Sequence, residues 1–206
     1  NPVNIQTDGS LGLANYQIGA PPSTNADLSA LSTTAGSITF SAATTAYAVN
    51  VPNATSSVTV TATRAEANAT MQVRVNSGSF TTLTSGSPSG SLALNVGANP
   101  IDVRVTAQDG STTKTYTITV TRAAPAPTVT SVLATSGSTL GNTVVVITGT
   151  DFTGATGVSF GGTAAMTFNV DSATQITATT PAHAAGAGGA AATEPGAPTA
   201  ANALHA

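Results

Sequence analysis

One ten-residue run constrains this chain more than any other: Thr113-Lys-Thr-Tyr-Thr-Ile-Thr-Val-Thr-Arg122, followed at once by Ala-Ala-Pro-Ala-Pro127. In an extended strand Thr113, Thr115, Thr117, Thr119 and Thr121 fall on one face, and Tyr116, Ile118 and Val120 fall on the other. A two-residue period held for that long marks a strand with one face in a core and one in water. The prolines behind it lack an N–H and fix their own φ, so they cannot continue a sheet ladder. One sandwich is expected to end at Arg122 and another to begin beyond a Pro-rich linker at 123–127.

The 206 residues leave room for two such domains of about 100 residues each. Only 6% of residues are charged and 4% aromatic, while threonine is roughly one residue in five, so the surface has to be built of hydroxyls. Five Lys and Arg against eight Asp and Glu give no cationic footprint for a phosphate backbone, and nucleic acid is discounted as a partner. With no cysteine there are no disulfides and no thiolate metal sites. No run approaches the roughly 18 apolar residues of a membrane helix, so membrane insertion is not expected. The chain starts at Asn1 rather than Met, read as a removed leader or a fragment. Few lysines and abundant Thr, Ser, Ala and Gly fit a secreted or cell-surface bacterial protein.

Residues 1–25 read as an extended arm or linker. Val3 and Ile5, then Leu11 and Leu13, alternate with polar neighbours, enough for short strands but not for a core. These four residues are the candidate inter-subunit strand, since pairing across chains needs only an extended, alternating segment. Between Ala26 and Arg122 the same period recurs in Tyr47, Val49 and Val51, in Val58 and Val60, in Val73 and Val75, in Leu92, Leu94 and Val96, and in Ile101, Val103 and Val105. Turn-formers separate these runs at Pro52-Asn53, Asn76 to Gly78, Ser85 to Gly90 and Gly97 to Pro100. Asp109-Gly110 is the most specific of them and is expected to join the strand ending near Ala107 to the strand at Thr113.

Asn25-Ala-Asp-Leu-Ser-Ala-Leu31, Thr45-Ala-Tyr-Ala-Val49, Val58-Thr-Val-Thr-Ala62, Leu94-Asn-Val-Gly-Ala-Asn99 and the stretch from Asp109 to Arg122 together resemble the bacterial cadherin-like β-sandwich repeat, over about 26–122. The resemblance implies a module of secreted and surface proteins without catalytic role, and it brings no calcium: Asp27, Glu66, Asp102 and Asp109 are scattered singly. Beyond the prolines, Val146 to Phe152, Val158 to Gly162 and Ile176 to Pro181 resemble the strand, hairpin and closing segments of the IPT/TIG immunoglobulin-like domain, over about 127–181. Such a domain continues past this point with further Val- and Thr-rich strands. Here residues 182–206 are an Ala, Gly and Pro-rich tail without alternation. The second sandwich, 128–181, is therefore expected to lack its last strands. An arm from another copy is one candidate to complete it, in a head-to-tail assembly.

Chemistry-bearing patterns are sparse. His183 and His205 lie in the tail without metal-ligand spacing, and Gly86-Ser-Pro-Ser-Gly90 has Pro88 where a nucleophile would stand. No cofactor is expected, and no catalytic or metal residue is assigned. Arg74 and Arg104 alternate with valines and should project away from the core, with Glu66 or Asp102 to pair with them. Asn53-Ala-Thr55 and Asn68-Ala-Thr70 fit the N-glycosylation pattern, which a Thr-rich chain reaches by chance. Tyr16, Tyr47 and Tyr116 stand apart, and there is no tryptophan, which weakens a sugar-stacking platform.

The expected fold is all-β: two consecutive immunoglobulin-like β-sandwiches with an extended N-terminal arm and a low-complexity C-terminal tail. The expected role is a non-catalytic extracellular structural or adhesive protein, with other copies of itself or neighbouring β-domains as partners and self-assembly into a filament or surface layer by strand addition. A carbohydrate-binding accessory module, with a surface glycan as partner, and a phage surface-decoration protein are the alternatives.

Overall fold

A computed structural model describes residues 20–183, 188–193 and 200–204. The candidate inter-subunit residues Val3, Ile5, Leu11 and Leu13 lie outside them. All described secondary structure is extended, and the chain divides into two compact units, 1–123 and 124–206.

The first unit contains β1 (Leu28–Thr33), β2 (Ala46–Val51), β3 (Ser57–Val58), β4 (Val60–Arg64), β5 (Thr70–Val75), β6 (Thr81–Thr82), β7 (Leu92–Ala93), β8 (Gly97–Thr106) and β9 (Thr113–Arg122). Five of them form one sheet in the order β2-β9-β8-β5-β6, with β2 parallel to β9 and every other neighbour antiparallel. The pairs β1-β4 and β3-β7 make up the unit's remaining strands. The alternation in β9 does what its period requires: Tyr116, Ile118 and Val120 are fully buried, as are Ile101, Val103 and Val105 of β8. Full burial of an aliphatic side chain contributes about 1.5–3 kcal/mol, so these two central strands carry much of this core. The Tyr116 hydroxyl is satisfied as well, donating to Ala42 O at 3.0 Å and accepting from Leu28 N at 3.1 Å, which ties β1 to the sheet.

Two stretches depart from the pattern that their residues suggest. Gly97 to Pro100 reads as a break, yet these residues are the first part of β8, running antiparallel to β9 from Gly97↔Arg122 onward. Pro100 is tolerated because β5 ends at Val75↔Ile101, and beyond that point Pro100 only has to accept, from Asn76 N at 2.9 Å. Val96 was expected to share a core face with Leu92 and Leu94. It is 51% exposed, because the chain turns at Asn95 to Gly97 around the buried Asn99 side chain.

The second unit contains β10 (Thr128–Leu133), β11 (Val144–Thr150), β12 (Gly157–Phe160), β13 (Thr163–Ala164), β14 (Thr167–Ser172), β15 (Gln175–Thr179), β16 (Gly188–Thr193) and β17 (Ala200–Leu204). They form two four-stranded sheets, β10-β11-β15-β14 and β13-β12-β16-β17, around a core of Val145, Ile147, Phe152, Val158, Phe160, Ile176 and Ala178.

This topology overturns the expectation that the second sandwich lacks its last strands and that 182–206 is only a tail. β16 pairs antiparallel with β12 from Gly157↔Thr193 to Phe160↔Ala190, and β17 pairs with β16. The physical reason is that a ladder is made by main-chain N–H and C=O groups, which glycine and alanine carry like any other residue. A strand of small residues leaves no alternating signature, so periodicity misses it. The edge of β12 is thus covered by the chain itself.

Candidate functional site

The outer face of the five-stranded sheet is where the first unit concentrates its polar side chains. Opposed residues of an antiparallel pair project to the same face, so the register places Thr82, Gln72, Arg104 and Thr115 in one row across β6, β5, β8 and β9. Arg74, Asp102 and Thr117 form the next row, across β5, β8 and β9. The two cations expected to point away from the core do so, and of the two acids weighed as partners Asp102 is the one used. Arg74 donates from Nε and Nη2 to Asp102 Oδ2 at 2.9 and 2.8 Å, and Thr117 Oγ1 donates to Asp102 Oδ1 at 2.8 Å. Glu66 is instead turned to Asn68, accepting from its main-chain N–H at 3.0 Å.

Phe80, which the sequence reading did not single out, joins the two arginines. The guanidinium carbon of Arg74 lies 4.5 Å from its ring centroid and that of Arg104 lies 4.1 Å from it. A cation over an aromatic face within about 6 Å is attracted by the ring quadrupole. Arg104 also donates from Nη2 to Gln72 Oε1, while its Nε is covered and has no acceptor. The signal for Phe80 was weak: a lone aromatic after Gly78-Ser79, outside any alternating run.

A second polar feature lies where β1 begins. Ser23, Thr24, Asn25, Ala26, Asp27, Thr112, Thr113 and Lys114 line an open hollow of about 470 Å³. Lys114 Nζ donates to Asp27 Oδ1 and to Ala42 O, each at 2.7 Å. Its hydrogen bond to Lys114 holds the Asp27 carboxyl below its ordinary value, and the same contact raises Lys114. This pair fastens the start of β1 to β9 rather than standing free for a reaction.

The Asp109-Gly110 turn joins β8 to β9 as expected, with Gly110 at φ 72°. Asp109 accepts from Thr112 Oγ1 at 2.6 Å and from the main-chain N–H groups of Thr112 and Ser111 at 2.9 and 3.0 Å, which lowers its carboxyl to about 2. A carboxyl depressed below 3.8 contributes stability above that pH, and the contribution disappears as pH falls from 3.8 towards 2. Asp109→Ala is therefore expected to lower the melting temperature of the first unit at neutral pH. It should also flatten the decline between pH 4 and pH 2, read by circular dichroism melts of both proteins across that range.

Among the described residues no three His, Asp or Glu side chains converge on a point that could hold a metal ion. Asn53, part of a glycosylation-like triplet, uses its amide to donate to Ala123 O at 3.0 Å. Tyr116 is enclosed in the core, and Tyr47 is half-buried with its hydroxyl on Ser41 and Thr44 carbonyls at 2.9 Å.

Comparison with known proteins follows the same division. Residues 28–123 match the cadherin-like beta sandwich domain, and residues 127–203 match the IPT/TIG domain, a match that takes in the tail strands. A comparison with curated protein sequences finds no match. Among solved structures, similar chains include SGBP-B of the Bacteroides ovatus mixed-linkage glucan utilization locus in complex with a mixed-linkage heptasaccharide (12% identity, 85% of this chain, 47% of that chain, TM-score 0.32). Others are SGBP-B from a complex xyloglucan utilization locus in Bacteroides uniformis (15%, 86%, 48%, TM-score 0.38) and the titin domains Z1Z2 in complex with telethonin (14%, 77%, 91%, TM-score 0.31). The chain spans about half the length of the two Bacteroides proteins. By the two domain matches and the two sandwiches that coincide with them, the chain carries a cadherin-like β-sandwich domain followed by an IPT/TIG domain.

Proposed function

We propose that this chain is a non-catalytic structural and adhesive module of a bacterial protein that is secreted or displayed at the cell surface. The observation that supports this reading best is the outer face of the five-stranded sheet, where rows of hydroxyl, amide and guanidinium groups lie across adjacent strands of a rigid sandwich. Strands hold such groups in fixed relative positions, which suits repeated non-covalent contact. The charged groups elsewhere in the unit secure the fold: Lys114 on Asp27, Arg64 on Ala69 O, and Arg122 on the carbonyls of Asn53 and Leu94.

Addition of the Val3, Ile5, Leu11 and Leu13 segment to a neighbouring copy is one route by which the module would self-associate. With β12 already paired to β16, the acceptor would be a free edge such as β14, not a missing strand. Light scattering over a concentration series, negative-stain microscopy and a glycan array on the purified chain test the reading. Ordered multimers, or saturable glycan binding without release of new reducing ends, are the expected results. Monomers at every concentration that bind no glycan, or any turnover of a bound glycan, overturn it.

A further inference from the structure

We propose that Arg74, Phe80 and Arg104 form a carboxylate-binding site for a linear acidic polysaccharide. The inference deepens the adhesive reading and rests on it only in taking the outer sheet face as the working surface.

Charge distinguishes this cluster from the rest of the chain. The whole sequence has five cationic side chains and a formal net charge of −3, yet two of the five are stacked on one phenyl ring. The cluster contains two guanidiniums and one carboxylate, so one positive charge is left over. Arg104 is the unneutralised member: its contacts are the Gln72 amide and the Phe80 ring, and no carboxylate lies within salt-bridge distance of it among the described residues. Nη1 of Arg74 and Nη1 of Arg104 have no hydrogen-bond partner there either. A packing role alone does not call for this, since the neighbours of the cluster in its two rows, Thr82, Gln72, Thr115 and Thr117, are uncharged. Guanidiniums fixed in orientation by an aromatic ring, with N–H groups left open, are suited to a planar carboxylate.

The placement of the two arginines favours a polysaccharide over a peptide. β5 and β8 are both interior strands of their sheet, with the order β2-β9-β8-β5-β6. An extended acidic peptide would gain its affinity from main-chain pairing at a sheet edge, whereas both arginines stand on interior strands. What surrounds the cluster instead is the row of Thr82, Gln72, Arg104 and Thr115. Strands in a sheet lie about 4.8 Å apart, a step close to that of one pyranose residue along an extended polysaccharide. Hydroxyl and amide groups both donate and accept, so they match sugar hydroxyls between the carboxylates. A chain of net negative charge is repelled by polyanions in general, and binding to one has to come from a local cationic site.

Affinity electrophoresis of the purified chain in native gels tests this, with polygalacturonate as the probe and methyl-esterified polygalacturonate, neutral mixed-linkage glucan and poly-glutamate as comparisons. Retardation by polygalacturonate alone is expected. Arg104→Gln should weaken it at least tenfold, Arg104→Lys should fall between, and Phe80→Ala should weaken it by releasing both guanidiniums, with thermal melts confirming that each variant folds. Lack of retardation by polygalacturonate, or equal retardation of folded Arg104→Gln, overturns the site. Equal retardation by poly-glutamate assigns it to acidic peptides and also overturns the proposal. Each of these three failures leaves the structural and adhesive reading standing, because multimers and binding to neutral glycans are measured separately.

Discussion

Gly149→Ala is expected to unfold the second unit while leaving the first intact. A Cβ built at Gly149 would sit 1.8 Å from Thr128 O, 2.9 Å from Thr128 C and 2.4 Å from the Cζ of Phe152. Two of those atoms are main chain and cannot swing aside. Thr128 is held opposite Thr150 in the β10–β11 ladder, whose register shifts between Val129 and Ser131, just where β10 passes Gly149. Phe152 is fully buried, and its main-chain N–H donates to Ala173 O at 2.9 Å, so the ring has no free space to retreat into. Forcing atoms into a well-packed core costs about 1–3 kcal/mol, and a clash with a fixed backbone lies at or beyond the upper end of that range. Among the described residues the buried apolar core of this unit is seven side chains, and such a loss is a large share of the stability that a core of that size supports. Calorimetry of the variant should show one transition persisting near its original temperature and the other lost or strongly lowered. A profile matching the unsubstituted chain would show that β10 can move away from β11 at little cost.

Asn99→Leu is the corresponding test in the first unit, and a loss of about 3 kcal/mol is expected there. Asn99 is fully buried, and its amide is saturated. The oxygen accepts from Asn95 N and from Asn76 Nδ2, both at 2.8 Å. The nitrogen donates to the carbonyls of Asn95 and Gly97 at 2.8 Å and to that of Val120 at 3.2 Å. Leucine fills the same space and satisfies none of these groups, and each buried polar group left without a partner costs about 1–3 kcal/mol. Water can reach some of the turn carbonyls, which keeps the total below the full sum. The expected readout is a fall of about 10 °C or more in the first unit's melting temperature, with the second unit's transition unmoved. A change of only a degree or two would mean that the turn at Asn95 to Gly97 reorganises without its central amide.

Those two residues also mark where the sequence stops being legible. The alternation of Tyr116, Ile118 and Val120 was readable because a half-buried strand must repeat every two residues, and all three are fully buried. Asp109-Gly110 was readable because few residues accept the backbone its turn needs, and Gly110 has the positive φ. Arg74 and Arg104 could be placed on the outer face by the same parity. The partnership with Phe80 could not, since the ring reaches the cluster from the turn between β5 and β6, and no spacing rule fixes where a loop aromatic will lie.

The sequence by itself determined the class of fold, the order of the two domains, the faces of the long strands and the scarcity of charge. These follow from local rules: side-chain parity along a strand, the missing proline N–H, and the backbone preferences of turn residues. Tertiary structure alone decided that Gly97 to Pro100 continues a strand, that Asn99 is the hub beneath it, and that Gly188–Thr193 and Ala200–Leu204 complete the second sandwich. In each case what matters is a partner distant in sequence. A strand of alanine and glycine is recognisable only by the main-chain groups opposite it, and β12 supplies them.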